Sequence, residues 1–400
     1  MPAAASRRIV TFVNIAHGFD HMLMLIFPTA VLAMEGAFGL PYGELLALSL
    51  GGFVAFGAFS IPAGWLGDRW SRHRMMILFF FGIGLSALAT GFASQPWHLA
   101  VGLFCIGMFA AIYHPVGGAL LIANVQKMGR DLGINGVWGN MGVALAALIT
   151  GALSDWFGWR AAFMLPGAAA LIAGIFYLLL VPDMHQAAKA AAKKPLAIPR
   201  GVVIRAFAVL SLVTIAGGLT FNAGTVSLPK LFEQRLDLGG LSTFGVGAVA
   251  ALVFSFGAVA QLIIGNIIDR YPLRRVFIPV AALQAPCFFL AGWAVGWPLA
   301  GLAAGIMFAM FGQVTINDAM IARYTTDEWR ARAFALRYVM SFGASATAVP
   351  LIAWLHGRSG DFQSLYMVLA ACGVVIFAGA LAFPLRPEEV EPAAVNQAAE

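Results

Sequence analysis

Twelve long apolar segments, separated by short polar connections, are the feature that most constrains the fold of this chain. Each has the length of about 20 residues that a helix needs to cross the hydrocarbon core of a bilayer. With 61% hydrophobic and only 10% charged residues, the chain is too apolar for a soluble protein. Strands of a membrane barrel would be shorter and would alternate in polarity. The segments therefore predict transmembrane helices at 9–33, 44–66, 75–93, 97–123, 132–153, 160–181, 202–228, 243–267, 275–295, 298–322, 333–355 and 363–385.

The longest polar stretch between these segments is PDMHQAAKAAAKKPLAIPR, residues 182–200, and it divides the twelve segments equally. We predict an N-terminal six-helix bundle at 1–181, a cytoplasmic linker at 182–200 and a C-terminal six-helix bundle at 201–386. The polar end of the chain, 387–400, is predicted to be disordered because it offers little apolar surface to bury. The first apolar segment is interpreted as a retained span rather than a signal peptide, since polar residues interrupt it.

Basic residues are distributed unequally between the two sides of the predicted bundle. Of 24 lysines and arginines, 19 fall in connections on the side of the N-terminus and four on the opposite side. Cytoplasmic loops of membrane proteins carry such an excess. We therefore expect both termini to be cytoplasmic in a multi-pass protein of a bacterial-type inner membrane. The net charge of +6 is explained by topology in the bilayer and does not indicate a nucleic-acid partner.

Two loop sequences repeat across the halves. GWLGDRWSRHR at 64–74 and GNIIDRYPLRR at 265–275 both read G-x-x-x-D-R followed by basic residues. They resemble the loop motif of the major facilitator superfamily, and the twelve segments and the duplication resemble that family as well. The resemblance implies an all-α fold of two pseudo-symmetric six-helix bundles that moves a small molecule by alternating access. The implied gating residues are Gly64, Asp68, Arg69, Arg72, Arg74, Gly265, Asp269, Arg270, Arg274 and Arg275.

A narrower resemblance lies in the fourth and fifth segments. AAIYHPVGGALLIA and GRDLGINGVWGNMG are similar to the fosmidomycin-resistance branch of the superfamily, and the matching residues are Tyr113, His114, Pro115, Gly139, Asn140 and Gly142. This resemblance implies efflux by proton antiport. The chain departs from many proton-driven drug antiporters of the superfamily, because no arginine or lysine lies between His98 and Lys127.

The segment HGFDH places three ionisable groups within the first span. Ionisable residues inside a membrane are costly and usually functional. Steps of three and four residues place them on one helix face, and His114 lies at a similar depth on the fourth span. Histidine titrates near neutral pH, so we expect the set to carry protons; the alternative is that these groups only join helices by hydrogen bonds. The predicted proton-coupling residues are Asp20, His17, His21 and His114.

The second half contains Asp318 in the tenth segment and Arg337 in the eleventh. An isolated arginine at this depth would be expensive, so we expect it to pair with Asp318 or to meet an anionic substrate. Polar and aromatic side chains on the first, fourth, seventh and tenth segments complete the candidate solute site. The substrate-binding candidates are Asn14, Tyr113, Asn222, Phe221, Gln313, Asn317 and Arg337.

These features favour a proton-coupled secondary transporter that exports a small organic solute and functions as a monomer. One alternative is an importer of a small organic anion by proton symport. Another is a divalent metal transporter that uses the histidines and Asp20 as ligands. A membrane receptor or enzyme without transport is least favoured, because neither a nucleophile–base set nor a nucleotide-binding loop is visible. No cofactor and no resident metal site are expected.

Overall fold

The structure, a computed structural model, describes residues 3–124, 128–183, 200–236, 242–324 and 327–384. Within these ranges every regular element is helical, and twelve helical segments are long and apolar enough to cross a membrane. The predicted all-α, twelve-helix fold is confirmed. Spans 1 to 12 are Ala4–Ala33, Tyr42–Arg69, Arg72–Gly91, Pro96–Asn124, Gly133–Phe157, Trp159–Leu180, Gly201–Arg235, Thr243–Ile268, Leu273–Ala291, Gly296–Ile321, Leu336–Ser359 and Gln363–Ala382.

Four of the spans are built from consecutive helices rather than one. Span 1 is divided at Leu25, span 2 near Leu48, span 4 near Ala111 and span 11 at Thr347. The component helices are Ala3–Met24, Ile26–Ala30 and Val31–Ala33; Tyr42–Ala47 and Leu50–Arg69; Pro96–Ala110, Tyr113–Gly117 and Gly118–Asn124; and Asp327–Ala346 and Ala348–Ser359.

Span 7 extends seven residues beyond the predicted end at 228, because its helix Arg200–Arg235 continues through Pro229. Proline is tolerated within membrane helices when neighbouring groups satisfy the freed carbonyl. Most of the predicted linker, at 184–199, and the predicted tail lie outside the described residues.

Glycines allow the closest helix contacts in the bundle. A Cβ atom at Gly142 of span 5 would overlap the carbonyl oxygen of Gly18 in span 1, and one at Gly247 of span 8 would overlap the carbonyl of Ala147. Small residues at such contacts let helix backbones approach in membranes. Span 5 is therefore packed tightly both against span 1 and against span 8 of the other half.

The buried apolar side chains form two clusters. The larger one contains residues from both halves, including Phe27 of span 1, Phe232 of span 7 and Phe254 of span 8. The smaller one lies within the C-terminal half and includes Phe277 and Ile316. The two bundles are thus joined through a shared apolar interface as well as by polar contacts.

Candidate functional site: a histidine cluster between spans 1 and 4

His17 and His21 of span 1 and His114 of span 4 form one group, here named the histidine cluster. One ring nitrogen of each lies within 4.8 Å of the others. The Nε2 atoms of His17 and His21 are 3.2 Å apart, and the ring of His114 meets both other rings edge-on at centroid distances of 5.7 and 5.6 Å. All three side chains retain partial exposure, so the cluster borders accessible space.

Asp20 lies behind the histidine cluster and is fully enclosed. Its side chain has no exposed surface, and its Oδ2 atom lies 3.4 Å from Nε2 of His114, whose side chain is 16% exposed. Neither carboxylate oxygen receives a hydrogen bond from the part of the chain that the structure describes. His114 is therefore the polar group that connects Asp20 to the accessible side of the cluster.

A second polar group, which the sequence did not reveal, is Asn135 at the start of span 5. Its amide nitrogen donates to Oδ1 of Asn14 at 2.9 Å and also lies 2.9 Å from the hydroxyl of Tyr113. Its backbone oxygen lies 2.7 Å from Nδ1 of His17. Asn14 and Tyr113 thus hold Asn135 in place, and these two predicted substrate-binding residues are occupied by contacts within the N-terminal half.

Two adjacent residues of span 4, Tyr113 and His114, contact the same histidine, and they lie in an irregular turn of the helix. Residues Tyr113–Gly117 form a π-helical turn, a feature frequent at functional sites, and Pro115 within it has no backbone N–H to donate. The ring centroid of His17 lies 4.6 Å from that of Tyr113 and 5.7 Å from that of His114. Two adjacent residues of this turn therefore both contact the same residue of span 1.

His114 also contacts the C-terminal half. Its ring centroid lies 5.6 Å from that of Tyr338 and 5.7 Å from that of Phe342, both in span 11. Phe342 in turn lies 4.7 Å from Phe56 of span 2. The histidine cluster therefore lies at the interface between the halves, where a relative movement of the two bundles would change the surroundings of His114.

The structure brings Arg337 and Asp318 together as an ion pair between spans 11 and 10. The arginine side chain is 8% exposed and the aspartate side chain 47% exposed. Nε of Arg337 is buried without a hydrogen-bond partner among the described residues, and the guanidinium carbon lies 5.7 Å from the ring centroid of Tyr338. The pair is thus next to the aromatic side chains that contact His114.

The other predicted substrate-binding residues make their contacts within the C-terminal half. Asn222 donates to the backbone oxygen of Ser345, and Gln313 accepts a hydrogen bond from Gln284. Phe221 packs edge-on against Phe311 at 5.0 Å. Asn317 is buried, and its Oδ1 atom has no partner in the described portion. None of these contacts joins them to the histidine cluster.

The first copy of the repeated loop motif is held together by local contacts. Arg72 donates to Asp68 at 2.7 Å, and the guanidinium of Arg69 lies 4.8 Å from the ring of Trp65. Arg74 lies 3.9 Å from Asp183, just after span 6. A Cβ at Gly64 would come 3.1 Å from Pro115, so span 2 closely approaches the π-helical turn there.

The second copy makes different contacts. Arg274 donates to the backbone oxygen of Leu381 in span 12, while Asp269 follows directly after span 8 and Arg270 lies in the turn beyond it. Arg275 lies within the helix that forms span 9, and a Cβ at Gly265 would meet open space. The two loops therefore share a sequence pattern and a corresponding position, after span 2 and after span 8, but their side chains make different contacts.

Polar contacts also join the two halves at the distal end of the bundle, defined here as the end where spans 1 and 2 are connected. Lys230 of span 7 lies 2.7 Å from Glu35 and 2.6 Å from Glu233. Asp155 of span 5 accepts a hydrogen bond from the backbone N–H of Phe244 at the start of span 8. Sequence reasoning missed these residues, because charged groups at helix ends are common and only the structure shows which of them meet.

The donor set of the histidine cluster can hold a metal ion, since imidazole nitrogen is a common ligand of zinc and copper. Asp20 supplies a carboxylate directly beside it. The same atoms can accept and release protons, so the geometry permits two kinds of cation.

Comparisons with known proteins place the chain in a family. The model described as Major Facilitator Superfamily matches residues 10–259 and 240–399. The gallate transporter of Pseudomonas putida is 25% identical over 348 residues, which cover 78% of this chain and 77% of that protein. The multidrug resistance protein MdtG of Enterobacter lignolyticus is 25% identical, with coverage of 80% and 78%. The 4-hydroxybenzoate transporter PcaK of Pseudomonas aeruginosa is 24% identical, with coverage of 70% and 68%.

Solved structures share the fold. A bacterial homolog of the human lysosomal transporter Spinster, in an inward-facing and occupied conformation, superimposes with a TM-score of 0.71 at 13% identity, covering 95% of this chain and 96% of that one. The family model covers nearly the whole chain, as do the twelve spans. The chain is therefore a multi-pass membrane protein that belongs to the Major Facilitator Superfamily of transporters.

Proposed function

We propose that the protein is a proton-coupled secondary transporter that exports a small organic solute by alternating access. The observation that carries the proposal is the position of His114, which contacts buried Asp20 on one side and the span 11 residues Tyr338 and Phe342 on the other. A proton on His114 lies where the two halves of the protein meet. Its gain or loss changes the charge at the interface and therefore the relative free energy of the two conformations.

In this proposal the enclosed carboxylate of Asp20 is the proton carrier and His114 is its route to the accessible side. His17 and His21 extend that route, because the Nε2 atoms of the two rings lie 3.2 Å apart. An ionised carboxylate without hydrogen bonds is costly inside a membrane. The carrier is consequently stable only while it holds a proton or faces a cation.

Outward transport is supported by the resemblance of spans 4 and 5 to the fosmidomycin-resistance branch and by the similarity to multidrug resistance proteins. We propose that both termini are cytoplasmic, on the strength of the basic residues that cluster on that side. The protein would then function as a monomer in the inner membrane of a bacterium.

A second candidate function is uptake of a small organic anion together with protons. Arg337 favours it, since this buried cation lies beside Tyr338 at the interface of the halves. The relatives named as gallate and 4-hydroxybenzoate transporters support the same class of solute.

The test is transport by the purified protein in proteoliposomes with an imposed pH gradient and a chelator present throughout. Fosmidomycin, gallate and 4-hydroxybenzoate serve as probes, and an internal pH-sensitive dye reports proton movement. Proton flux opposite to solute flux supports export by antiport, and flux in the same direction supports the second candidate. Solute flux that is unchanged when the gradient is collapsed would contradict proton coupling.

A further inference from the structure

We propose that the histidine cluster, completed by Asp20, is a binding site for a divalent transition-metal ion of the zinc class. The ligands would be one ring nitrogen from each of His17, His21 and His114 and one carboxylate oxygen of Asp20. The proposal goes beyond solute transport and holds whatever the solute or the direction of its movement. It rests on the spacing, the hydrogen bonds and the burial of these four side chains.

Two of the spacings between donor atoms match those of a tetrahedral site. Zinc binds imidazole nitrogen at about 2.0–2.1 Å, which in a tetrahedron places neighbouring ligand atoms about 3.3 Å apart. The Nε2 atoms of His17 and His21 are 3.2 Å apart, and Nε2 of His114 is 3.4 Å from Oδ2 of Asp20. One ring nitrogen of each histidine lies within 4.8 Å of the others, in a group that among the described residues does not include an oxygen of Asp20. Binding of one ion by all four side chains therefore requires side-chain rotations that bring the two pairs together.

The hydrogen bond of His17 orients its lone pair toward the centre of the cluster. Its Nδ1 atom lies 2.7 Å from the backbone oxygen of Asn135, and a carbonyl oxygen can only accept. Nδ1 therefore carries the proton, and Nε2 of the neutral ring presents a lone pair toward His21. Histidines that bind metals typically donate their second N–H to a carbonyl or carboxylate in this way, which fixes the tautomer and the ring orientation.

Unsatisfied buried atoms provide a second, independent observation. Oδ1 of Asp20 is buried without a hydrogen bond from the described residues, and Oδ2 of Asp20 and Nε2 of His114 meet each other at 3.4 Å without forming one. Most buried polar atoms have a hydrogen-bond partner. A dication would supply a partner to Nε2 of His114 and to one oxygen of Asp20. It would also neutralise the carboxylate charge, which is otherwise costly to bury.

The chemistry of the donors selects the metal. Three imidazoles and one carboxylate suit zinc, copper or nickel, whereas magnesium and calcium prefer shells made of oxygen. Because histidine binds metal only in its neutral form, protons and the metal compete for the same nitrogens. A zinc ion in the cluster would join span 1 to span 4 and occupy the residues to which we assign proton coupling.

The experiment uses Co²⁺ as a spectroscopic probe for zinc. The full chain is purified in detergent with an affinity tag that contains no histidine, stripped with a chelator and titrated with Co²⁺. We expect saturable visible absorption bands of tetrahedral cobalt at one ion per chain, and their loss when Zn²⁺ displaces Co²⁺. Added Mg²⁺ should leave the bands unchanged. Absence of saturable tetrahedral bands in the wild-type protein would overturn the proposal.

Two variants locate the site. His21→Gln should weaken Co²⁺ binding at least about tenfold, on the scale seen when metal sites lose a supporting group. His98→Gln, which removes a histidine at the other end of span 4, should bind as the wild type does. Equal affinity in wild type and His21→Gln would also refute the assignment. If His21→Gln does not fold, Asp20→Asn is titrated instead, and the wild-type spectrum alone can still overturn the proposal.

This measurement needs neither a gradient nor a solute. Failure of proton-coupled transport would leave the cobalt result standing, and failure to bind cobalt would leave the transport result standing.

Discussion

Nε2 of His114 lies 3.4 Å from Oδ2 of Asp20, a carboxylate on another span with no exposed side-chain surface. His114 is the only ionisable side chain for which the described residues show an ion-pair contact with Asp20. A cation that approaches Asp20 from the histidine cluster therefore meets His114. This relationship joins the enclosed carboxylate to a histidine that also contacts the opposite half of the protein.

Asp20→Asn should abolish solute movement driven by a pH gradient, because an amide has the shape of the carboxylate but cannot carry the coupling proton. Exchange of solute between equal concentrations on the two sides should continue, since it requires no net proton movement. The measurement compares gradient-driven uptake with counterflow in the same proteoliposomes. A chelator is kept present so that metal binding does not affect either rate.

The matched control for this variant is Glu44→Gln, which removes an exposed carboxylate from the distal end of span 2. We expect it to retain both gradient-driven uptake and counterflow. Full gradient-driven uptake by Asp20→Asn would rule out this carboxylate as the required carrier.

A double-mutant cycle tests the ion pair between Arg337 and Asp318. Removing one partner of a buried pair costs about 3–5 kcal/mol, but half-exposed Asp318 is screened by solvent, so we expect about 1–2 kcal/mol of coupling. The free energy of unfolding is measured in mixed micelles for Arg337→Gln, Asp318→Asn and the double variant. Arg358→Gln, an exposed change in span 11, should shift stability by less than about 0.5 kcal/mol.

If Arg337 instead serves mainly to bind an anionic solute, the cycle gives a different result. Asp318→Asn would then leave the unfolding free energy unchanged and would strengthen binding of gallate or 4-hydroxybenzoate, because the guanidinium loses its competing carboxylate. Additive effects of the two single changes would exclude a stabilising pair.

The architecture was predictable because it depends on hydropathy alone. Each span must be long and apolar to cross a bilayer, and these lengths are visible in the chain without knowledge of any contact. The continuation of span 7 through Pro229 was not predictable in this way. A proline ends a helix in water, but within a bundle the neighbouring helices can satisfy its freed carbonyl.

The candidate site was predictable only in part. His17, Asp20 and His114 could be found because ionisable groups are rare within spans. Asn135 could not be found, since one asparagine near a helix end carries no signal, and its importance comes from hydrogen bonds to Asn14 and Tyr113. The bond to Asn14 depends on how span 5 packs against span 1. The pattern of apolar and polar residues within one span does not show how that span packs against another.

Gly142→Ala should destabilise the protein, because the added Cβ overlaps the carbonyl oxygen of Gly18 and forces spans 5 and 1 apart. Overpacking of this kind costs about 1–3 kcal/mol. The matched control is Gly133→Ala in the same span, where a Cβ meets nothing within 4 Å. Since alanine favours helix over glycine by about 1 kcal/mol, the control should be neutral or stabilising. Equal thermal unfolding temperatures for the two variants would contradict the close contact.

Lys230 bridges two carboxylates at the distal end of the bundle. Its Nζ atom lies 2.7 Å from Glu35 of the N-terminal half and 2.6 Å from Glu233 of its own half. Only the contact with Glu35 joins the two bundles. Removing it should therefore favour separation of the halves at this end, while removing the contact with Glu233 should not.

Glu35→Gln should increase the labelling rate of a reporter cysteine at Ala353, which closely approaches Gly43 across the same interface. A partly exposed ion pair contributes up to about 1 kcal/mol, so the open population and the labelling rate should rise up to about fivefold. The assay uses a membrane-impermeant maleimide on a background without the native cysteines. Glu233→Gln is the matched control, because it removes one carboxylate from Lys230 yet leaves the bridge between the halves. Equal labelling of the two variants would show that the Glu35 contact does not hold the distal end closed.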